Sequence, residues 1–191
     1  MQKLFQTIEG QQRLSTEDRE LIFQLSEEIR CPKGSILIEI GQIPDALYFV
    51  LNGFLRLFQY ADNGLEITNH LNCPPGFITP YTDFVERQAS TQALECITDC
   101  ELIRISKVNF DRLIAESSAM KDFSIWVYQQ SLAYNETRAR DLASLTATQR
   151  YQKLLDTQPA ILQSVPAQHI ASFLGITPQS LSRIRRSVAI G

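Results

Sequence analysis

The sequence predicts an α+β fold in which an antiparallel β-roll is followed by one long helix and a C-terminal helix-turn-helix domain. Short apolar segments crowd residues 35–105 and are separated by Gly, Pro, Asn and Asp, which is typical of many short strands. Neither Gly nor Pro interrupts residues 118–145. Residues 165–186 carry start and stop signals for two successive helices. The predicted boundaries are therefore 1–117 for an N-terminal helix with the roll, 118–145 for the long helix, and 146–191 for the helix-turn-helix domain.

The N-terminal helix is predicted to run from Ser15 to Ile29. Ser15 or Thr16 can cap it, and acidic residues follow in its first turn. The apolar face consists of Leu21, Ile22, Leu25 and Ile29. The breaker sequence Pro32-Lys33-Gly34 is expected to end the helix.

Six segments are then predicted as strands because they are short and rich in Ile, Leu, Val, Phe and Tyr. They are Ser35–Glu39, Ala46–Leu51, Phe54–Tyr60, Glu66–Leu71, Thr91–Ile97 and Glu101–Ile105. The sequence Asp62-Asn63-Gly64 predicts a tight hairpin turn, because Asn and Gly tolerate positive φ. Strands at such close spacing favour an antiparallel roll or barrel.

The pattern becomes helical again after Ile105. A short helix is predicted over Lys107–Glu116 and a long one from Ser118 to about Leu145. A helix of that length needs a surface to cover its apolar residues. A second copy of the chain and the chain's own β-domain are both candidates, one for each end of the helix. A homodimer is expected.

The C-terminal segment has the pattern of a helix-turn-helix. Pro166 suits a first helical turn, Gly175 suits the left-handed residue after a helix, and Thr177 with Pro178 suits the start of a second helix. Inward-facing residues are expected at Ile170, Ala171, Leu174, Leu181 and Ile184. The polar outer face is then Gln179, Ser180, Ser182, Arg183 and Arg186. Amides, hydroxyls and guanidinium groups suit base edges and phosphates, although an ordinary helical hairpin would also have a polar face.

The charge distribution supports a nucleic-acid role that the net charge of −3 does not suggest. Residues 146–191 contain five basic residues and one acidic residue, whereas the rest of the chain contains 13 basic and 20 acidic ones. A basic segment joined to an acidic body is typical of a DNA-contacting module on a sensor domain.

The segment from Ile170 to Pro178, with Leu181 to Arg185, closely resembles the helix-turn-helix of the Crp/Fnr transcription regulators. The resemblance implies that Arg183 contacts a guanine, that Gln179 and Ser182 contact neighbouring bases, and that Thr177 and Ser180 hold phosphates. Arg185 or Arg186 would add positive charge close to the phosphate backbone of the DNA. Family members commonly carry a β-hairpin wing after this helix; with Gly191 as the last residue, the wing is expected to be absent or very short. The implied partner is double-stranded DNA with a palindromic operator.

The front half resembles the cyclic-nucleotide-binding roll of the same family. The likeness lies in Lys33-Gly34, Glu39 with Gly41, the run Leu47 to Gly53, Gly64, and Gly76-Phe77. With the C-terminal segment it covers about Ile22 to Arg186. It implies a roll that senses a small molecule and a long helix that forms the dimer.

The ligand-binding cassette of nucleotide-binding relatives is altered here. The place of the Glu that takes the ribose hydroxyl reads Pro80, and the place of the Arg that pairs with the phosphate reads Ser90. We therefore expect a regulator that does not respond to cyclic AMP, with an unidentified small-molecule effector or none. The candidate pocket residues are Phe77, Thr79, Arg87, Ser90 and Thr91. The alternative is a cyclic-nucleotide-responsive regulator or signalling subunit with a non-standard pocket.

Other function classes lack support in the sequence. There is no nucleophile elbow, phosphate loop or metal triad, so neither an enzyme nor a metal site is expected, and no cofactor. Haem has only His70 and His169 as candidate ligands, and His169 falls in the helix-turn-helix segment. The four cysteines match no zinc or redox spacing and are expected to be reduced thiols. No apolar run is long enough to span a membrane, and a cytoplasmic location is expected.

Overall fold

The computed structural model describes residues 1–190, in which two four-stranded antiparallel sheets form a roll. The strands are β1 (Glu27–Cys31), β2 (Ile36–Ile38), β3 (Ala46–Asn52), β4 (Leu55–Tyr60), β5 (Glu66–Leu71), β6 (Gly76–Ile78), β7 (Ala93–Cys96) and β8 (Cys100–Ser106). The strand order is β1-β8-β3-β6 in one sheet and β2-β7-β4-β5 in the other. The predicted antiparallel roll is confirmed.

Helices surround the roll and complete the chain. They are α1 (Gln2–Glu9), α2 (Thr16–Gln24), α3 (Tyr81–Glu86), α4 (Lys107–Glu116), α5 (Ser118–Ser144), α6 (Ala147–Thr157), α7 (Pro159–Ser164), α8 (Ala167–Phe173) and α9 (Pro178–Ile190). None of the helices in residues 1–190 is long and apolar enough to cross a membrane.

The alternation of side chains along β3 explains how the roll is covered on both sides. Tyr48 and Val50 point between the two sheets, into a core that they share with β4, β7 and β8. Leu47 and Phe49 point to the other face, where α1, α2, α4 and α5 pack. A strand buried on both faces has a continuous apolar sequence, which is why this strand was easy to predict.

Gly53 allows the chain to turn from β3 into β4. Its φ is +90°, and a Cβ there would lie 2.5 Å from the Asp99 carbonyl oxygen and 2.7 Å from Cys100 Sγ. Neither the conformation nor the space admits a side chain. The hairpin turn between β4 and β5 is also as predicted, because Ala61 N donates to Leu65 O at 2.9 Å and Gly64 has φ +78°.

The predicted helix from Ser15 to Ile29 is wrong in its second half. Helix α2 begins as expected, since Ser15 and Asp18 form a reciprocal capping box, but it ends at Gln24. The chain then forms β1, in which Ile29 lies opposite Leu102 of β8. The Leu25 to Ile29 spacing fits a helix, yet pairing with β8 and packing of Ile29 against the core between the sheets prevail over the local pattern.

Several short elements escaped the sequence pattern. They are α1, α3, α7 and β6. Helix α1 buries Leu4 and Ile8 completely against the roll, whereas β6 has only three residues and follows Pro74-Pro75-Gly76. The predicted helix over Lys107–Glu116 has the bounds of α4, with Ser106 as its cap.

Helix α5 presents two different faces. Met120 and Phe123 are buried against the roll, and Phe123 stacks on Trp126. On another side, Ile125, Tyr128, Leu132 and Leu142 are between 42% and 50% exposed. The helix ends at Ser144, and Thr146 then forms a capping box with Gln149 at the start of α6.

Helices α6–α9 pack around a core to which the roll also contributes. It contains Tyr151, Leu154, Ile161, Val165, Ile170, Ala171, Leu174 and Leu181, together with Leu71 and Ile97 from the roll. Helices α6–α9 are therefore packed against the β4–β5 side of the roll. Gly191, the last residue of the predicted domain, lies outside the described residues.

Candidate nucleic-acid interface and effector cavity

The turn between α8 and α9 is built around Gly175. Ile176 N donates to Ala171 O and Gly175 N donates to Ser172 O, both at 3.0 Å. With φ of +66° at Gly175, this is the Schellman arrangement that ends a helix and satisfies its last carbonyls. The glycine thus redirects the chain immediately before the second helix.

Helix α9 begins at the residues that the sequence indicates. Thr177 Oγ1 accepts a hydrogen bond from Ser180 N at 3.2 Å, and Pro178 occupies the first helical position. Leu181 is buried, and the fully buried Ala171 allows α8 and α9 to approach closely. The two helices have the connection and packing of a helix-turn-helix.

The residues predicted to contact DNA lie on α9 and at its start, and most of them are exposed. The exposed ones are Thr177, Gln179, Ser182, Arg183 and Arg186. Ser180 is half-buried, and its hydroxyl lies 3.0 Å from Thr177 Oγ1, so it also serves the helix cap. Arg186 Nη2 donates to Ser182 Oγ at 3.4 Å. No acidic residue occurs in the α9 sequence.

The five basic residues of the C-terminal segment have two different roles. Arg150 donates to the carbonyl oxygens of Leu145 and Leu174, which ties α6 to the ends of α5 and α8. Lys153 pairs with Asp141. The basic groups that remain on α9 are Arg183, Arg185 and Arg186. The positive charge available to a nucleic acid is therefore concentrated on the second helix.

A cavity of about 730 Å³ lies between the roll and α5. Its walls come from β5, β6, α3 and the middle of α5. Of the five candidate pocket residues, Phe77, Thr79 and Thr91 line it, whereas Arg87 and Ser90 do not. Ser90 is buried and its Oγ accepts from Gln92 N, while Arg87 is exposed at the end of α3.

The cavity wall formed by His70 and Tyr134 was missed by sequence reasoning. The two rings lie 4.4 Å apart, one on β5 and the other on α5. Burial raises the pKa of Tyr134 to about 12, against smaller opposing effects of the Arg138 charge and of a hydrogen bond from the Leu71 backbone. The Tyr134 hydroxyl itself is shielded from solvent, so it does not face the open part of the cavity. The helical spacing of Tyr134 indicated only an apolar face, and the cassette pattern does not extend to α5.

Helix α8 is fastened to the edge of the roll next to this wall. Ser172 Oγ accepts from Thr68 N and donates to Glu66 O, both at 2.9 Å, so it covers the open edge of β5. Arg138 donates to the carbonyl oxygens of Thr68 and Phe173 at 3.0 and 2.8 Å. Its guanidinium also lies 4.0 Å from the centroid of the Phe173 ring. Cavity wall and helix-turn-helix thus share β5 and α5 as supports.

The buried imidazole of His70 predicts a pH dependence of stability. Burial, with the nearby positive charge of Arg138, lowers the pKa of His70 to about 4, whereas an unfolded histidine titrates near ~6.5. Between those pH values the unfolded chain binds more protons, so the free energy of unfolding should fall as pH falls from ~6.5 to 4. Above pH ~6.5 His70 is neutral in both the folded and the unfolded chain, so this loss of stability is absent.

The His70→Gln variant isolates this effect. Its urea midpoint should fall less between pH 7 and pH 5 than that of the parent protein. His169→Gln is the matched control, because partial burial also lowers the pKa of His169. Its loss of urea midpoint between pH 7 and pH 5 should differ less from that of the parent than the loss of His70→Gln does. Equal losses in the parent and in His70→Gln would show that His70 is not the group responsible.

Comparison with known proteins finds one family model that matches the roll. Residues 28–117 match the family model described as "Cyclic nucleotide-binding domain". No curated protein matches the chain. The matched range runs from β1 to the residue before α5, so it covers the roll with α3 and α4 and leaves α5–α9 outside.

Solved structures resemble the whole chain. FixK2 from Bradyrhizobium japonicum is 15% identical with a TM-score of 0.76, over 86% of this chain and 85% of that one. A putative transcriptional regulator of the Crp/Fnr family from Eubacterium rectale is 17% identical with a TM-score of 0.71, over 93% and 84%. The Thermus thermophilus catabolite activator protein is 19% identical with a TM-score of 0.58, over 92% and 84%. The predicted resemblance to Crp/Fnr regulators is thereby confirmed at the level of the fold.

The names of these neighbours also bear on function class. One is called a transcriptional regulator and another an activator, and none of the three names describes an enzyme.

Proposed function

We propose that this protein is a sequence-specific DNA-binding transcription regulator that acts as a homodimer on a palindromic operator. The observation that carries the proposal is the outer face of α9, where exposed amide, hydroxyl and guanidinium groups stand on the second helix of a helix-turn-helix. In that motif the second helix enters the major groove. A role on DNA implies a cytoplasmic location.

The proposed division of labour on α9 follows from position along the helix. Arg183, Gln179 and Ser182 are exposed on its outer side and are assigned to base edges. Thr177 and Ser180 stand at the N-terminus, where hydroxyls and free backbone N–H groups suit a phosphate. Arg186 is assigned to phosphate contact, since it lies one turn beyond Ser182.

The proposed dimer rests on a regular seam along α5. The seam consists of Ile125, Tyr128, Leu132, Asn135, Ala139 and Leu142, all of them exposed. The spacing alternates between three and four residues, which is the a/d pattern of a coiled coil. Because the buried face of α5 packs on its own roll, this second face is left for a partner helix. A second copy presents the same seam and fits a two-fold dimer.

The DNA-binding proposal is tested by mobility shift in the presence of excess competitor DNA. Labelled duplex DNA is first selected from random sequences by the parent protein. The parent should then shift this DNA in the gel despite the competitor. The triple variant Gln179→Ala, Ser182→Ala and Arg183→Ala should lose that retention. The charge-matched control is Arg30→Ala, whose side chain is 87% exposed on β1. A parent protein that retains no duplex at micromolar concentration would overturn the proposal.

We further propose that the cavity between roll and α5 holds a small-molecule effector other than cyclic AMP. No Lys or Arg lines it among the described residues, and Asp83 is its one acidic group. A cyclic phosphate placed there would have no guanidinium or ammonium to replace its hydration.

Cyclic AMP is therefore expected to bind only weakly. Calorimetric titration of the parent protein should give no saturation at micromolar ligand. A dissociation constant in the micromolar range or tighter would contradict the assignment and would favour the alternative of a cyclic-nucleotide-responsive regulator with a non-standard pocket. In that case Thr91, which lines the cavity, would have to hold the phosphate, because Arg87 does not line it.

A further inference from the structure

A second cavity, of about 250 Å³, lies where α5, α6 and the end of α8 meet. We call it the three-helix pocket. Its apolar wall consists of Leu142, Leu154, Phe173 and Leu174. None of these residues lines the cavity between roll and α5. The three-helix pocket is therefore a separate space with a different chemical character.

The charged groups of the three-helix pocket are mostly cationic. Its lining contains Arg138, Arg150, Lys153 and one acid, Asp141. Asp141 is paired with Lys153, whereas neither arginine forms an ion pair within residues 1–190. Burial and, more weakly, the charge of Arg150 lower the pKa of Arg138, against opposing effects of Tyr134 and Asp141. Two guanidinium groups thus share one small space without a carboxylate of their own.

Both guanidinium groups keep hydrogen-bond donors that the protein does not use. Arg138 donates from Nη2 to the Thr68 and Phe173 carbonyl oxygens. Arg150 donates from Nε and Nη1 to the carbonyl oxygens of Leu174 and Leu145. Within residues 1–190, Nε and Nη1 of Arg138 and Nη2 of Arg150 make no hydrogen bond, and none of these atoms is shielded from solvent. Because both side chains line the pocket, a ligand that enters it can reach these donors.

This arrangement favours an anion with an apolar part. A carboxylate beside Arg138 and Arg150 would accept charge-assisted hydrogen bonds, which are stronger than neutral ones. A short hydrocarbon chain would cover the leucine side chains of the wall. A cation would meet two positive charges, and Asp141 is already held by Lys153.

We infer that the three-helix pocket binds a compact organic carboxylate, with its head group at Arg138 and Arg150 and a short apolar body against the leucines of the wall. The inference depends neither on the DNA-binding proposal nor on an effector in the cavity between roll and α5. Arg138 and Arg150 also bind the carbonyl oxygens of Phe173 and Leu174 at the end of α8. Such a ligand would therefore contact the side chains that hold the first helix of the helix-turn-helix.

Three probes of one shape test the inference. They are hexanoate, hexan-1-ol and hexylamine, which at pH 7 are anionic, neutral and cationic. Titration followed by the NMR resonances of leucine methyl groups gives the affinity and the place, because Leu142 and Leu154 line the pocket. Hexanoate should shift both residues and bind at least about tenfold more tightly than hexan-1-ol, the weight of a hydrogen bond to a charged group. Hexylamine should shift neither residue.

A pair of matched variants separates the pocket from general attraction to a basic surface. Gln158→Glu places a carboxylate in the lining with little change of shape. It should weaken hexanoate about 3- to 10-fold through repulsion and leave hexan-1-ol unchanged. Gln163→Glu makes the same change of charge at an exposed position of α7 outside the lining, and should alter neither affinity. Arg186→Ala, which removes an exposed cation from α9, should also leave hexanoate binding unchanged.

The inference is overturned if hexan-1-ol or hexylamine binds as tightly as hexanoate. It also falls if hexanoate at millimolar concentration shifts neither Leu142 nor Leu154. Equal affinities of Gln158→Glu and Gln163→Glu for hexanoate would place the anion elsewhere on the protein. All three measurements are made without DNA, so their outcome is separate from that of the mobility-shift assay.

Discussion

Replacing Arg183 by alanine is expected to relax the preference at one base position in each half-site of the operator. Arg183 is exposed between the buried Leu181 and the half-buried Ile184, so its side chain leaves the helix on the outer side. Among the described residues it makes no hydrogen bond or ion pair that would hold it elsewhere. A bidentate Arg–guanine pair discriminates by about 1–3 kcal/mol, which is roughly 5- to 150-fold per half-site.

Arg186→Ala provides the matched comparison on the same helix. If Arg186 neutralises a phosphate, the alanine variant should bind all sequences more weakly and to the same degree. The slope of log affinity against log salt concentration should become shallower by about 0.9 for each phosphate that is no longer neutralised. Arg30→Ala, the exposed control on β1, should change neither quantity. Selection from random DNA with each variant separates the cases. A consensus for Arg183→Ala identical to that of the parent would show that Arg183 reads no base.

Replacing Leu132 by aspartate is expected to convert the dimer into monomers. Leu132 is 48% exposed in the single chain and lies near the middle of the α5 seam. In a two-fold coiled coil both copies of Leu132 would become buried, and because about half of each side chain is already covered in the single chain, this stabilises the dimer by about 0.7–1.5 kcal/mol for each leucine. The variant removes that burial and places two carboxylates face to face. DNA affinity should fall with the dimer, because each monomer can contact only one half-site.

Light scattering at micromolar concentration measures this effect directly. The parent should have twice the mass of the chain and Leu132→Asp the mass of one chain, with unchanged circular dichroism. The control is Leu65→Asp, the same substitution at a leucine 66% exposed beside the β4–β5 turn, and it should stay dimeric. A parent that is a stable monomer would contradict the dimer proposal.

The sequence predicted best those elements that local chemistry determines. The turn at Gly175 and the start of α9 at Thr177 could be read from residue type, because a left-handed residue and a side-chain cap each require particular amino acids. The hairpin at Asn63-Gly64 is of the same kind. The outer face of α9 followed from helical spacing once its start was known.

Features that depend on contacts between residues far apart in the sequence could not be predicted from local patterns. Ile29 fits a helical face, but pairing with β8 places it in a strand. The inner wall of the cavity joins His70 to Tyr134, which are far apart in sequence and carry no shared motif. The attachment of Ser172 to the edge of β5 depends on where the whole C-terminal domain packs. Such contacts require the tertiary structure.

The central claim, that two copies of α9 read a palindrome, is tested most directly by selecting binding sites of the parent protein from random double-stranded DNA. A two-fold dimer of helix-turn-helix domains should enrich inverted half-sites whose centres lie about one helical turn, or roughly 34–36 Å, apart. Mass measurement of the complex should give two chains per duplex. Enrichment of no sequence, or of a single unrepeated half-site bound by one chain, would contradict the account.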